Sequence, residues 1–284
     1  MKKLLLIAAG VVASGLIFAG LTAPTASAAT TNKVVYFVPH QDDETLTMGA
    51  SIASHVKSGK EVHLVLTTDG SASGAFTEVN DRLRQEGRPT ITKQQFSAAR
   101  NREFVAAAKR LGVQERNIHY ENIVDGKTSF TVAGNIIDKY VRMFPGAAFK
   151  SISWLDLHVD HYNLGYALNN RCVANPSIDC RFYQSARYQV GSTHPTAVAN
   201  PSHQVPTPRY GRYTENVATQ EAANEYKVWN PAQGRYAVGY TSTKVSFDWF
   251  LSRTRTSLWH MNDANWASSA LRTQAKNWLA NVQK

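Results

Sequence analysis

The sequence predicts an α/β fold built on a doubly wound, mostly parallel sheet. Three observations carry this. Apolar, β-favouring runs at Val34–Val38, Val62–Leu66 and Ser151–Leu157 alternate with segments of helical period. Two of these runs release clusters of His and Asp at their carboxyl ends, where open α/β sheets bind ligands. Beyond residue 172 the chain turns rich in Pro, Asn, Ser and Tyr and poor in aliphatics, which predicts a loop-rich C-terminal extension without a second core.

The first segment stays outside the fold. Lys2 and Lys3, an apolar run from Leu4 to about Leu21, and Ala26-Ser27-Ala28 make a signal peptide over residues 1–28. The mature chain is then expected to start at Ala29, with no stable membrane anchor after cleavage; a retained anchor is the alternative, since the apolar run is nearly long enough to span. Removing 28 of 284 residues leaves 256, enough for one domain, 29–284, with a substantial core.

Val34–Val38 is the first buried strand, ended by Pro39. Leu46, Gly49, Ile52, Ala53 and Val56 recur every three or four residues, and Gly59 closes that helix. Val62–Leu66 is the second strand, running into Thr67-Thr68-Asp69-Gly70. Ser71–Gln95 has no clear period and reads as a long loop rimming a cleft, with Arg82, Arg84 and Arg88 facing acidic groups or solvent. Phe96–Gly112 is the most helical stretch, and Arg100 and Glu103 stand at i and i+3, where they can pair.

Asn117–Tyr120 reads as a short strand and Val132–Phe144 as an amphipathic helix. Phe149–Leu157 is the strand that delivers the second polar cluster, and Tyr162–Cys172 is a helix. Tyr236–Phe250 alternates loosely and reads as edge strands, with Tyr240, Phe247, Trp249 and Phe250 packing the core or lining a sugar platform. Ala264–Val282 reads as a terminal helix.

The net charge is +10, or +8 once Lys2 and Lys3 are gone. The basic residues are scattered and no nucleic-acid motif accompanies them, so the charge favours anionic wall polymers over nucleic acid. Cys172 and Cys180 lie eight apart, which in an exported chain predicts a local disulfide, two free thiols being the alternative.

Chemistry concentrates in two stretches. Val34–Glu44, VVYFVPHQDDE, sets His40 and Asp43 three apart at a strand-to-helix turn, a candidate pair of zinc ligands. The plainer reading makes Asp42 or Asp43 a helix cap and His40 a surface residue. Leu155–His161, LDLHVDH, adds His158, Asp160 and His161. Together they can supply three ligands of a catalytic zinc with one position open for water. His194 and His203, lone histidines in the extension, are not expected to be ligands.

Both motifs together resemble the PIG-L/LmbE-like family of zinc-dependent N-deacetylases. That family carries His-Pro-Asp-Asp-Glu after its first strand and His-x-Asp-His after a later one; here they read His40-Gln41-Asp42-Asp43-Glu44 and His158-Val159-Asp160-His161. Arg100-Asn101-Arg102-Glu103, followed by a helix ending in Leu111-Gly112, matches a third family feature. The likeness covers roughly residues 34 to 170. Gln41 and Val159 stand where the family has Pro, and each removes a rigid φ.

The resemblance implies an LmbE-like, Rossmann-like fold and a Zn2+ cofactor held by His40, Asp43 and His161. It implies attack by a zinc-activated water, with Asp42 as general base and His158 as acid or as a neutraliser of the oxyanion. Asp160 would orient His158, Glu44 would support the turn, and Arg100 would point at substrate. Asp69 stands where family members often have Asn and is a candidate substrate-facing wall, or else a turn former. The expected function is that of a secreted, extracellular bacterial hydrolase removing the N-acetyl or N-acyl group from an N-acetylglucosamine-type sugar or glycoconjugate. Another zinc amidase or esterase, and a non-catalytic wall-glycan-binding module with a structural metal, are the competing readings.

Overall fold

Five strands build the parallel part of one sheet: β1 (Lys33–Val38), β2 (Glu61–Thr68), β3 (Ile118–Ile123), β4 (Ala148–Ile152) and β5 (Cys180–Tyr183). The computed structural model describes residues 32–188, 194–196, 210–211, 216–252 and 258–261. The expected signal peptide 1–28, the start at Ala29, His203 and the helix Ala264–Val282 lie outside them. Among the described residues, no helix is long and apolar enough to cross a membrane.

The strand order is β3-β2-β1-β4-β5, extended by β9 (Leu258–Met261) and β6 (Tyr210–Gly211), which run antiparallel to their neighbours. The order reverses between β1 and β4. A crevice opens at such a switch point, and both polar motifs leave the sheet there.

β1 is apolar on both faces because helices cover both. Val35 and Phe37 pack with Phe149 against α5 (Phe130–Met143) and α6 (Val159–Ala174). Val34, Tyr36 and Val38 pack against α2 (Gly49–Lys57), α4 (Lys93–Arg110), α7 (Asn216–Glu225) and α9 (Lys244–Leu251). Each large apolar side chain buried this way contributes about 1.5–3 kcal/mol. Thr92 starts α4 with a capping box, accepting from the Gln95 amide while Gln95 accepts from its own.

Three expectations need correction. Ser71–Gln95 is not one long loop: α3 (Ala75–Gln85) occupies its middle and buries Ala75, Val79 and Leu83. Arg82, Arg84 and Arg88 pair with Glu86 and Asp81 on its surface, away from the cleft. β4 ends at Ile152 rather than Leu157, because Trp154 and Leu155 turn inward; Trp154 meets Phe182 edge-on with ring centroids 4.8 Å apart. Gly165 lets α6 cross this turn, since a Cβ there would stand 2.4 Å from the Ile152 carbonyl oxygen.

Tyr236–Phe250 holds helices rather than edge strands. α8 (Val238–Ser242) and α9 bury Val238, Phe247 and Phe250. Only the hairpin β7 (Trp229–Asn230) and β8 (Arg235–Tyr236) precedes them. The extension also adds to the sheet: β5 pairs in parallel with β4, and the Cys172–Cys180 disulfide ties the end of α6 to the first residue of β5.

Candidate metal centre and active site

β1 ends at Val38, and the chain passes through Pro39 into α1 (Asp43–Leu46). His40, Asp42 and Asp43 all line a cavity of about 500 Å3 at the carboxyl edge of the sheet. The turn after β4 brings His158 and His161 to the same cavity. Asp42 occupies the N-cap position of α1 without making a side-chain cap bond, so the plain capping role fails.

His40 Nδ1 lies 3.0 Å from His161 Nε2, Asp43 Oδ2 lies 3.2 Å from His161 Nε2, and His40 Nδ1 lies 3.4 Å from Asp43 Oδ2. A tetrahedral cation with ligands at about 2.0–2.1 Å sets those ligands about 3.3–3.4 Å apart. The three atoms therefore form one face of such a cage, with the cavity on its open side. His158 stands close, its ring 4.6 Å from that of His40 and 4.9 Å from that of His161. Atoms of His40, His158 and His161, and of His40, Asp125, His158 and Asp160, form two further groups, each within 4.8 Å of one another.

The outer nitrogens of the ligand rings face carboxylates, as metal-bound imidazoles require. His161 Nδ1 lies 3.2 Å from Asp156 Oδ1. His40 Nε2 lies 2.9 Å from Asp160 Oδ2 and 3.1 Å from Asp125 Oδ1. Asp160 is itself held by the Gly126 and Thr128 amides at 2.8 and 2.9 Å.

This corrects the role expected of Asp160. Its carboxylate orients His40, and its distance to His158 Nδ1 is 3.8 Å. His158 caps α6 instead, its Nδ1 accepting from the Asp160 amide at 3.2 Å. In the neutral ring the proton then sits on Nε2.

Charge around the site is strongly coupled. Against burial, Asp43 and Asp156 hold His161 up to about 10, and Asp125, Asp160 and Asp43 hold His40 well above its ordinary value. Burial opposes it, yet the same two imidazoles keep the Asp43 carboxyl far below the usual range. Burial, then the charge of Asp43, pushes Asp42 up to about 7. Burial and the neighbouring imidazoles push His158 down to about 4. Asp42, Asp43, Asp125, Asp156 and Asp160 crowd one site, whose cavity Arg100 and Arg187 line, an arrangement that leaves room for further positive charge.

Arg100 is buried. It donates to the Gln41 and Gly70 carbonyls at 3.1 and 3.2 Å and lies 3.5 Å from Asp42 Oδ2. It lines the cavity, but it does not pair with Glu103, whose carboxylate accepts the Val238 and Gly239 amides at 2.9 Å each. Gln41 compensates for the lost proline by hydrogen bonding, donating to Asn101 Oδ1 at 2.8 Å.

Asp69 is not among the residues lining the cavity. Its carboxylate accepts the Ser71 and Asp125 amides at 2.9 and 3.1 Å, the geometry of a turn former. The residue it supports, Asp125, is one of two site carboxylates that motif reading missed, the other being Asp156 behind His161. The expected third strand stopped at Tyr120, whereas β3 runs to Ile123 and empties Asp125 at its end. A carboxylate beside a Gly just past a strand was the available signal. His194 also lines the cavity, bonded to Ser246 and Thr196, with Trp249 and Phe250 nearby.

The family model for PIG-L, described as GlcNAc-PI de-N-acetylase, matches residues 35–172. That span contains both motifs and all three atoms of the cage. Residues 35–172 thus carry the likeness to the PIG-L family. No curated protein matches the chain. Among solved structures, the chain is similar to the A40926 pseudoaglycone deacetylase Dbv21, with a TM-score of 0.55 and 16% identity over 84% of this chain and 99% of that one.

A triple mutant (Orf2*T) of a deacetylase from the teicoplanin biosynthetic pathway gives a TM-score of 0.53 and 14% identity over 81% and 98%. A deacetylase–teicoplanin complex from that pathway gives 0.52 and 14% over 82% and 99%. At these identities the likeness shows a shared fold.

Proposed function

We propose that this chain is a zinc-dependent N-deacetylase acting on a 2-acetamido sugar or its conjugate, exported by residues 1–28. The observation that carries the reading is the triangle of His40, Asp43 and His161, with edges of 3.0–3.4 Å, open to a cavity that Asp42 and His158 also line. The PIG-L match and three similar structures described as deacetylases support the reaction class. The disulfide supports an oxidising compartment.

Two imidazoles and one carboxylate suit zinc and leave a fourth position free. Bound there, the ion would supply Lewis acidity and lower the pKa of a water from about 15.7 toward about 7. Asp42, held near neutrality by burial and by Asp43, is matched to take a proton from the attacking water and return it to the departing amine. Arg100, 3.5 Å from Asp42, steadies the carboxylate between those transfers.

His158, neutral and with its Nδ1 engaged by the helix, would present Nε2–H as a donor to the developing oxyanion. This favours oxyanion stabilisation over proton donation for His158. The cavity, about 500 Å3, lies within the usual range for small-molecule sites of about 300–1,000 Å3 and has room for a hexosamine bearing a substituent.

The test is acetate release from N-acetylglucosamine conjugates by purified protein with one zinc per chain. Asp42→Asn is expected to lower kcat by about 10²–10⁴-fold with zinc retained. Zinc-loaded protein that releases no acyl group from any acetylated amino sugar would refute the proposal.

A further inference from the structure

We infer that Tyr226, which lies 54 positions beyond the PIG-L match, positions the metal-binding turn by acting through Glu44 on the backbone of Asp42. Its effect on rate rests on the deacetylase reading above. Its effect on metal affinity rests on the His40–Asp43–His161 cage alone.

Asp42 has φ 151°, a backbone region that L side chains adopt only where the surroundings impose it. The imposing group is Glu44. Its Oε2 accepts the Asp42 amide at 3.1 Å, and its Oε1 accepts the Thr45 hydroxyl at 2.5 Å and the Tyr226 hydroxyl at 2.7 Å. Glu44 and Tyr226 are both fully buried, so water cannot replace either partner. The Asp42 peptide in turn sets the direction of both its own carboxylate and that of Asp43, which also accepts the His40 amide at 3.0 Å.

Tyr226 is held with little freedom. Its ring packs on Phe247, centroids 5.1 Å apart. On another side lies Gly239, where a Cβ would stand 2.4 Å from Tyr226 Cδ1. The amide of Gly239 is fixed by Glu103 on α4. Helices outside the family match pack on α1, and this hydroxyl carries their hydrogen bond to the turn. Without it, Glu44 Oε1 keeps only its sequence neighbour Thr45 and is free to turn from the Asp42 amide.

The experiment compares Tyr226→Phe, Phe247→Leu and Gly239→Ala in the full chain. Zinc affinity is read by competition with a chromogenic chelator, and kcat and KM at saturating zinc. Tyr226→Phe is expected to bind zinc about tenfold or more weakly and to lose about tenfold in kcat, with KM within about threefold. Phe247→Leu loosens the same packing without removing the hydroxyl and should keep zinc affinity and kcat within about threefold, even with a lower Tm.

Gly239→Ala displaces the ring and should weaken zinc binding as Tyr226→Phe does; it decides the matter if Tyr226→Phe does not fold. Zinc affinity within threefold of wild type in Tyr226→Phe, or equal losses in Phe247→Leu, would overturn the inference. A wild type that binds zinc without releasing acetate would sink the deacetylase reading, and the zinc comparison would still decide the role of Tyr226.

Discussion

Asp160 Oδ2 stands 2.9 Å from His40 Nε2 across 120 positions of chain, leaving the other ring nitrogen of His40 to face His161. The bond fixes which nitrogen enters the cage. It also joins the turn after β1 to the start of α6, so the two motifs are locked to each other before any ion binds.

Asp160→Asn removes that charge while keeping the side chain's size. Zinc affinity is expected to fall by about 10–100-fold, as for other carboxylates behind ligand histidines. Chelator competition on the folded variant measures it. An unchanged dissociation constant would show that His40 is oriented by Asp125 alone.

Zinc should stabilise the folded chain by mass action. At 100 times its dissociation constant the gain is about 2.7 kcal/mol, visible as a rise in Tm that a chelator reverses. Asp43→Ala, which opens one corner of the cage, should lose most of this zinc-dependent rise.

Acid should destabilise the protein at a place far from the cavity. His63 and His119 face each other on β2 and β3 with Nδ1 and Nε2 3.1 Å apart, and Phe144 packs on both. Burial, more than nearby cations, holds each below the ordinary value of 6.5; Glu61 opposes this at His63, and Lys139 and Glu121 act in opposite senses on His119. A base whose folded pKa is lowered stays neutral while the unfolded chain takes up a proton, so stability is present above pH 6.5 and is lost as the pH falls below it. Because His40 and His161, both raised, act in the opposite sense, the test is a difference: between about pH 7.5 and about pH 5 the Tm of the wild type should fall relative to that of His119→Phe.

The disulfide closes a loop of eight residues, Cys172 to Cys180. On the loop-entropy account it contributes about 2.5 kcal/mol. Replacing both cysteines with Ala should lower the denaturant midpoint accordingly. Reducing agent should do the same to the wild type and leave the variant unaffected.

The parts of the fold legible in the sequence are those where one residue pattern permits one structure. Val34–Val38 and Val62–Leu66 are continuous apolar runs because helices bury both faces of their strands. α3 escaped notice because its buried stripe is only Ala75, Val79 and Leu83, in a segment otherwise polar. The stretch 236–250 misled because aromatic residues suit strands and helices alike, and its buried pair Phe247 and Phe250 follows helical spacing across a single short turn. Asp125 escaped because a lone Asp-Gly reads as an ordinary turn.

By itself the sequence determined the alternation of strand and helix and the two short motifs whose His and Asp gather at one edge of the sheet. Local pattern suffices for that, since burial and strand ends are written in neighbouring residues. Only the tertiary structure decided which carboxylate serves which imidazole, that Asp69 supports Asp125, and that Tyr226 reaches Glu44 from 182 positions away. Those pairings depend on side chains meeting in a buried space, and the distance along the chain says nothing about which of several equivalent Asp, His or Tyr residues will arrive there.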